Sequence, residues 1–270
     1  MQDTIGSLSR HAAAAACLLL LGGGVVGAQT TVEPTEAPAA PTFVSQYHMQ
    51  ISAAALSIDD QRFAWDTHWG GNIDVVDYVS GRVNLLADYE AMLGSEYRPF
   101  DPNQGNYTLE ASVSGRLPPV EIAGVFHHQS RHLSDRPKRF AVAYNAIGGR
   151  LLNRTTIDDT AIDTTATLAK VIQHSFLDYA WTADLDLRIT HPVNTAAGVY
   201  ARAIGDLYGI DGSVSTRGRQ YGGRLEGGIR LTGRAGAVEL FAGYERRVDA
   251  YQIDLQPLRW AFAGFRFASR

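Results

Sequence analysis

From Tyr107 to Leu117 the chain alternates without exception. Tyr107, Leu109, Ala111, Val113, Gly115 and Leu117 are apolar or small, and Thr108, Glu110, Ser112, Ser114 and Arg116 stand between them. A helix would scatter those polar groups around its circumference, whereas a strand sends them all to one side. The same period returns from Val79 to Ala91, broken only by Leu86. It returns again from Tyr179 to Ile189, where Thr182, Asp184, Asp186 and Arg188 oppose Trp181, Ala183, Leu185 and Leu187. The runs are on the order of ten residues, against about five or six in a typical soluble sheet, and that length crosses a bilayer at a tilt. Trp65, Trp69, Tyr89, Tyr107, Tyr179, Trp181, Tyr221, Tyr244 and Trp260 are read as aromatic girdles near strand ends on the apolar face. An open sheet edge in lipid would leave backbone groups unpaired, so the sheet must close. The predicted fold class is all-β, a transmembrane antiparallel β-barrel of about twelve strands.

Two features test the count. With both ends of the barrel on the periplasmic side, Pro118-Pro119, His191-Pro192-Val193 and Thr232 to Ala235 fall there as short turns, and the links Leu93–Gly105, Tyr208–Thr216 and Asp249–Gln256 fall outside. The link from Leu151 to Ile162 is long yet lands on the periplasmic side, which keeps ten strands open. Two of the strands are placed near residues 62–69 and 73–92.

The start of the chain sets the compartment. Arg10 and His11 lead into an apolar run from Ala12 to Val26, and Val26-Gly27-Ala28 offers the small residues of a cleavage site, so residues 1–28 are expected to be a signal peptide. The run is too short to span a bilayer convincingly. The single cysteine, Cys17, lies inside it. The exported chain then has no thiol, which excludes disulfides, cysteine zinc sites and thiol nucleophiles. Residues 29–42, rich in Pro, Ala and Thr, are expected to be a mobile tether, and residues 43–270 the barrel. The formal charge of −4, from 24 basic against 28 acidic residues, does not recommend nucleic acid. The expected location is the outer membrane, and the expected partners are its lipid, lipopolysaccharide and the barrel assembly machinery. No cofactor is expected.

If apolar faces meet lipid, the lumen holds Arg82, Asp88, Glu90, Glu110, Arg116, Asp184, Asp186, Arg188, Arg224, Glu226, Arg230, Glu239, Glu245 and Arg247. A selective pore favours rings of one sign. This mixture fits paired charges filling a narrow barrel, or lining a small water channel.

One segment stands apart, Val125 to Arg139, which reads VFHHQSRHLSDRPKR. Continued as a strand, it puts His128, Ser130 and His132 on the lipid face with Val120, Ile122 and Phe126, and turns His127, Gln129 and Arg131 inward. No metal is expected here, since His128 and His132 would lie about 13 Å apart. Residues two apart are only about 6.5 Å apart, so His128 can take a proton from Ser130, with an acidic group to orient the imidazole. The alternative is a polar strand end at headgroup level, with Arg131, Arg136, Lys138 and Arg139 on lipid phosphates. Asp158, Asp159 and Asp163 are read as a solvated turn, with Ca²⁺ the alternative.

His128-Gln-Ser130 resembles the H-x-S motif of the outer-membrane lipid A deacylases, barrels that hydrolyse an acyl ester of lipopolysaccharide at the outer leaflet. The resemblance implies a catalytic set of Ser130 and His128, with Asp135 in place of the family's glutamate. The longer string H-x-S-x-H-L-x-D resembles the uncharacterised DUF1207 group, which implies no activity. The last strand, Leu258 to Phe267, resembles the C-terminal signal of outer-membrane barrels, with a parity change between Phe262 and Phe265 assigned to a bulge at Gly264. The expected function is an outer-membrane barrel, structural or weakly permeating, with an outer-leaflet lipid esterase as the alternative and a soluble β-sandwich third.

Overall fold

A computed structural model describes residues 30–134 and 140–269. The expected signal peptide, and Asp135, Arg136, Lys138 and Arg139 of the rim segment, lie outside the described residues. Twelve strands follow one another: β1 (Thr42–Ser57), β2 (Trp65–Asp77), β3 (Arg82–Gly94), β4 (Asp101–Leu117), β5 (Val120–His132), β6 (Val142–Ile157), β7 (Thr160–Ser175), β8 (Tyr179–Pro192), β9 (Ala197–Ile210), β10 (Gln220–Thr232), β11 (Gly236–Arg247) and β12 (Leu258–Ser269). Each pairs antiparallel with its sequence neighbours, and β12 returns to β1 to close the barrel. Closure gives every strand two partners, the condition lipid imposes.

Parity decides what meets the surroundings. Ile51, Leu85, Leu109, Val113, Phe126, Ile147, Leu168, Leu225, Leu240 and Phe267 are exposed on the outer wall. Such a band around a soluble protein would drive aggregation, but around a barrel it is the surface lipid wets. The soluble sandwich is thereby overturned.

The strand ends correct several expectations. The strand expected to end near residue 69 runs on to Asp77, with Gly70 and Gly71 in the middle of β2, paired with Gln50 and Met49 of β1. A Cβ on Gly70 would lie 2.2 Å from Asp88 Oδ1 and 2.5 Å from Thr30 Oγ1, so glycine is there to let the lumen contents approach the wall. The supposed long link at Leu151–Ile162 is strand on both sides of a tight turn at Asp158-Asp159, and this restores the count to twelve. Across that turn Asp163 is engaged by Arg154. β12 pairs with β1 and β11 in unbroken register, so Gly264 makes no bulge. Phe262 simply points inward, and Phe265 and Phe267 outward.

Two aromatics expected in the girdles also turn inward. Trp260 is 1% exposed and stacks on Phe63 beside Met92, Phe241 and Phe262. Both faces of β12 are apolar there, so alternation gave no parity. Tyr179 is buried because the register shifts between Tyr179 and Trp181, and a one-residue shift moves a side chain to the other face.

The lumen is occupied by ion pairs and by the chain's own N-terminal segment. Arg188, Glu239, Arg266, Glu226, Arg224, Glu245 and Arg247 form one run of alternating sign, linked by contacts of 2.5–3.0 Å. The segment expected as a mobile tether lies inside the barrel from Thr30 to Thr35. Thr30 Oγ1 donates to Asp88 (2.8 Å), Asn72 donates to the Thr31 carbonyl (3.0 Å), Arg82 to the Glu33 carbonyl (2.6 Å), and Arg116 to Thr35 Oγ1 (3.2 Å). Val32 is buried against Leu86, Ala123, Val125 and Leu152. Leu86, the one break in the alternation from Val79 to Ala91, is thus the seat of this segment. The segment's own composition carries little apolar surface; its order comes from a wall rich in donors.

Candidate functional site

β4, β5 and β6 carry the rim residues in register. His128 faces Leu109 on one side and Asn145 on the other, and Ser130 faces Tyr107 and Ala143. Because residues two apart share a face, His128, Ser130 and His132 all point outward, as the sequence predicted, with Ile122 and Phe126 further along β5.

Asn145 Oδ1 lies 2.6 Å from His128 Nδ1, and Asn145 Nδ2 donates to Gln173 Oε1 at 3.0 Å. The second bond fixes the amide orientation, so Oδ1 is the atom turned to the ring. A carbonyl oxygen only accepts, so this network assigns a proton to His128 Nδ1 and holds the ring in place. Ser130 Oγ is 2.9 Å from His132 Nε2, and the His132 ring meets Tyr107 edge-on at 5.5 Å. Ser130 therefore stands between two imidazoles on one face, one oriented by an amide and one touching its hydroxyl.

The depth of the site is set by its row. Trp69, Tyr89, Tyr107 and Ser130 are successive cross-strand partners, and the three rings stand 5.8 and 4.9 Å apart. Aromatic belts mark the interface between headgroups and hydrocarbon. Ser130 stands beside Tyr107 at the end of that row, and Leu109, Phe126 and Ile147 are exposed on the same wall nearer the middle of their strands. Lys170, opposite Ile147 on β7, also faces outward.

The remaining expectations separate. Arg131, expected on lipid phosphate, is 7% exposed and points into the barrel, where it donates to the Ala250 carbonyl at 3.2 Å. Its parity is opposite to that of Ser130, which rules out a lipid contact. The third member of the expected set, Asp135, lies outside the described residues, whereas the neighbour the fold does supply to His128 is Asn145. Sequence reasoning missed it, although a signal existed. Asn145 and Lys170 are polar residues at apolar positions of their strands, between Ala143 and Ile147 and between Leu168 and Ile172.

The expected lumen set lies on the inner wall: Arg82, Asp88, Asp186, Arg224, Glu226, Glu239, Glu245 and Arg247 are buried, and Glu90, Glu110, Arg116, Asp184, Arg188 and Arg230 are partly so. Sequence reasoning omitted Asp66, His68, Asp74, Glu121, Arg150, Arg202 and Arg266, which are buried there too.

No protein family's sequence profile matches the chain, and no curated protein sequence aligns with it significantly. The fold does have relatives among solved structures. Outer membrane phospholipase A from Escherichia coli superposes with a TM-score of 0.51 at 10% identity, over 83% of this chain and 92% of that one. An active-site mutant of the same enzyme, with alanine for an asparagine, matches with TM-score 0.51 at 10% identity over 84% and 91%. The Salmonella typhi outer membrane phospholipase, a dimer with bound calcium, gives 0.51 at 11% over 87% and 94%. At such identities the likeness is one of fold: this chain has the closed β-barrel fold of bacterial outer-membrane proteins.

Proposed function

We propose that this barrel is an outer-membrane lipid esterase, with Ser130 as nucleophile, His128 as general base and Asn145 as the residue that orients it. The observation that carries the reading is the 2.6 Å bond from His128 to Asn145 on the lipid-facing wall, two residues from a serine at the level of the aromatic belt. An unassociated polar cluster on that wall would be costly. This one has the parts of acyl transfer.

In the reaction, Ser130 Oγ attacks an ester carbonyl while His128 Nε2 takes its proton. His128 then returns the proton to the departing alcohol, and water releases the fatty acid by the reverse sequence of transfers. The substrate is a membrane lipid whose ester bonds lie at belt depth and whose acyl chains lie along Leu109, Phe126 and Ile147. The fold's phospholipase relatives, one altered at an active-site asparagine, support the same reading. Permeation is less well supported, because the N-terminal segment and the ion pairs fill the lumen.

A second reading gives the base role to His132, because the hydroxyl of Ser130 is bonded to it. The test is fatty acid release from phospholipid and lipopolysaccharide vesicles, followed by mass spectrometry. Release that vanishes in Ser130→Ala and falls far more in His128→Ala than in His132→Ala supports the first reading; the reverse ranking supports the second. No release from either lipid overturns both.

A further inference from the structure

On the lumen side of β2 and β3, antiparallel pairing sets His68 directly opposite Glu90, with Asp66 two residues away on the same strand and face. His68 Nε2 lies 3.1 Å from Asp66 Oδ1 and 3.6 Å from Glu90 Oε1, and the three ligand atoms all fall within 4.8 Å of one another. Asp66 and His68 are almost wholly buried. Two atoms of the cluster, Asp66 Oδ1 and His68 Nε2, make no hydrogen bond although both are sealed from solvent.

The other ring nitrogen already has its partner. His68 Nδ1 is 2.8 Å from Asp88 Oδ2, and a carboxylate there holds the proton on Nδ1. Thr30 of the N-terminal segment holds the second oxygen of Asp88. Nε2 faces the carboxylate oxygens of Asp66 and Glu90, an arrangement of acceptors that needs a positive species among them, either a metal ion or a second proton on the ring. Arg247 answers part of the charge, reaching Asp66 Oδ2 at 2.7 Å and Glu90 Oε1 at 2.6 Å. It is one cation against Asp66, Asp88 and Glu90, it also carries Glu245, and it leaves Asp66 Oδ1 unused.

We propose that His68, Asp66 and Glu90 form a site for one divalent transition-metal ion of the zinc class, inside the barrel and separate from the rim residues. Bonds of about 2.0–2.2 Å at tetrahedral angles place ligand atoms about 3.4 Å apart, and the observed 3.1 and 3.6 Å bracket that spacing. One nitrogen and two carboxylate oxygens are a borderline donor set, suited to zinc rather than calcium, which takes six to eight oxygens. Asp88 supplies the carboxylate that typically backs a metal-bound histidine. Since the cluster is enclosed, the ion enters as the barrel folds and pins β2 to β3.

The competing account is a doubly protonated His68 held in an ion pair with Asp66 and Asp88. The experiment folds the full chain into detergent with zinc or in chelator-treated buffer, dialyses both, and counts metal by mass spectrometry, with folding checked by heat-dependent gel mobility. Expected are one zinc per barrel in the native protein and at least a tenfold loss in His68→Gln and Asp66→Asn. If these variants fail to fold, zinc-edge X-ray absorption on the native protein decides, with one imidazole and oxygen ligands at about 2.0–2.2 Å expected. Substoichiometric zinc in the native barrel, undiminished zinc in a folded His68→Gln variant, or an edge spectrum without imidazole overturns the site and leaves the ion pair.

Discussion

Asn145 is the residue on which the proposed chemistry turns. It holds His128 Nδ1, so its loss frees the imidazole to rotate without disturbing β5 or β6, whose ladder is made by backbone. General acid–base catalysis contributes about 10²–10⁴-fold, and Asn145→Ala should lose up to about 10²-fold in kcat with KM little changed. Equal loss in KM alone would point to a binding role. At this scale the serine and histidine were legible because parity and spacing alone bring them to one face. Asn145 was not legible, because its partnership is made across a strand register that alternation does not determine. Arg131 was misassigned for a simpler reason: a basic residue near a rim attracts a lipid reading, but its neighbours Ser130 and His132 face out and it faces in.

Among the elements, the N-terminal segment and the long-loop end close the barrel from two sides. Val32 fills an apolar seat, and burying a valine is worth roughly 1.5–3 kcal/mol, so Val32→Asp should lower thermal stability and loosen the segment. Deleting residues 30–35 should convert a silent barrel into one that conducts in planar bilayers; unchanged silence would mean that the ion pairs alone seal it. At the far end Arg217 joins Asp178 to Asp249 with contacts of 2.6 Å, and Gln252 donates to the His132 carbonyl at 2.7 Å, which ties this cap to the end of β5. Burial disfavours the Asp178 carboxylate, but its bonds from Arg217 and Ser215 outweigh this and hold its pKa below the usual value. A carboxyl depressed by folding contributes stability that is present above its unfolded value, about 3.9, and is lost as pH falls through the lower folded value. The cap should therefore open below about pH 4, read as faster hydrogen exchange in residues 248–257 after correction for intrinsic rates. Arg217→Ala should show that fast exchange already at neutral pH. Neither closure was readable beforehand, because both depend on contacts between segments far apart in sequence. Only Leu86 and Gly70, anomalies within clean strands, marked where one of them docks.

For the whole molecule, the period of two, the run length and the mixed inward charges were enough to define a barrel of about twelve strands, with ten left open, because lipid outside and ion pairs inside impose opposite demands on alternate residues. What alternation could not define was parity where both faces are apolar, as at Trp260 and Phe262, or where the register shifts, as at Tyr179. Closure by β1 and β12 predicts a resistant fold: unheated protein in detergent should migrate as a compact band that shifts only on boiling. The central claim joins this wall to chemistry, namely that Ser130 is an activated nucleophile facing lipid. It is tested most directly by treating the protein in lipid vesicles with a fluorophosphonate bearing an alkyl chain and mapping the adduct by peptide mass spectrometry. The account predicts one adduct, on Ser130, formed in the native protein and lost in His128→Ala. An unlabelled Ser130 in a barrel that is demonstrably folded would contradict it.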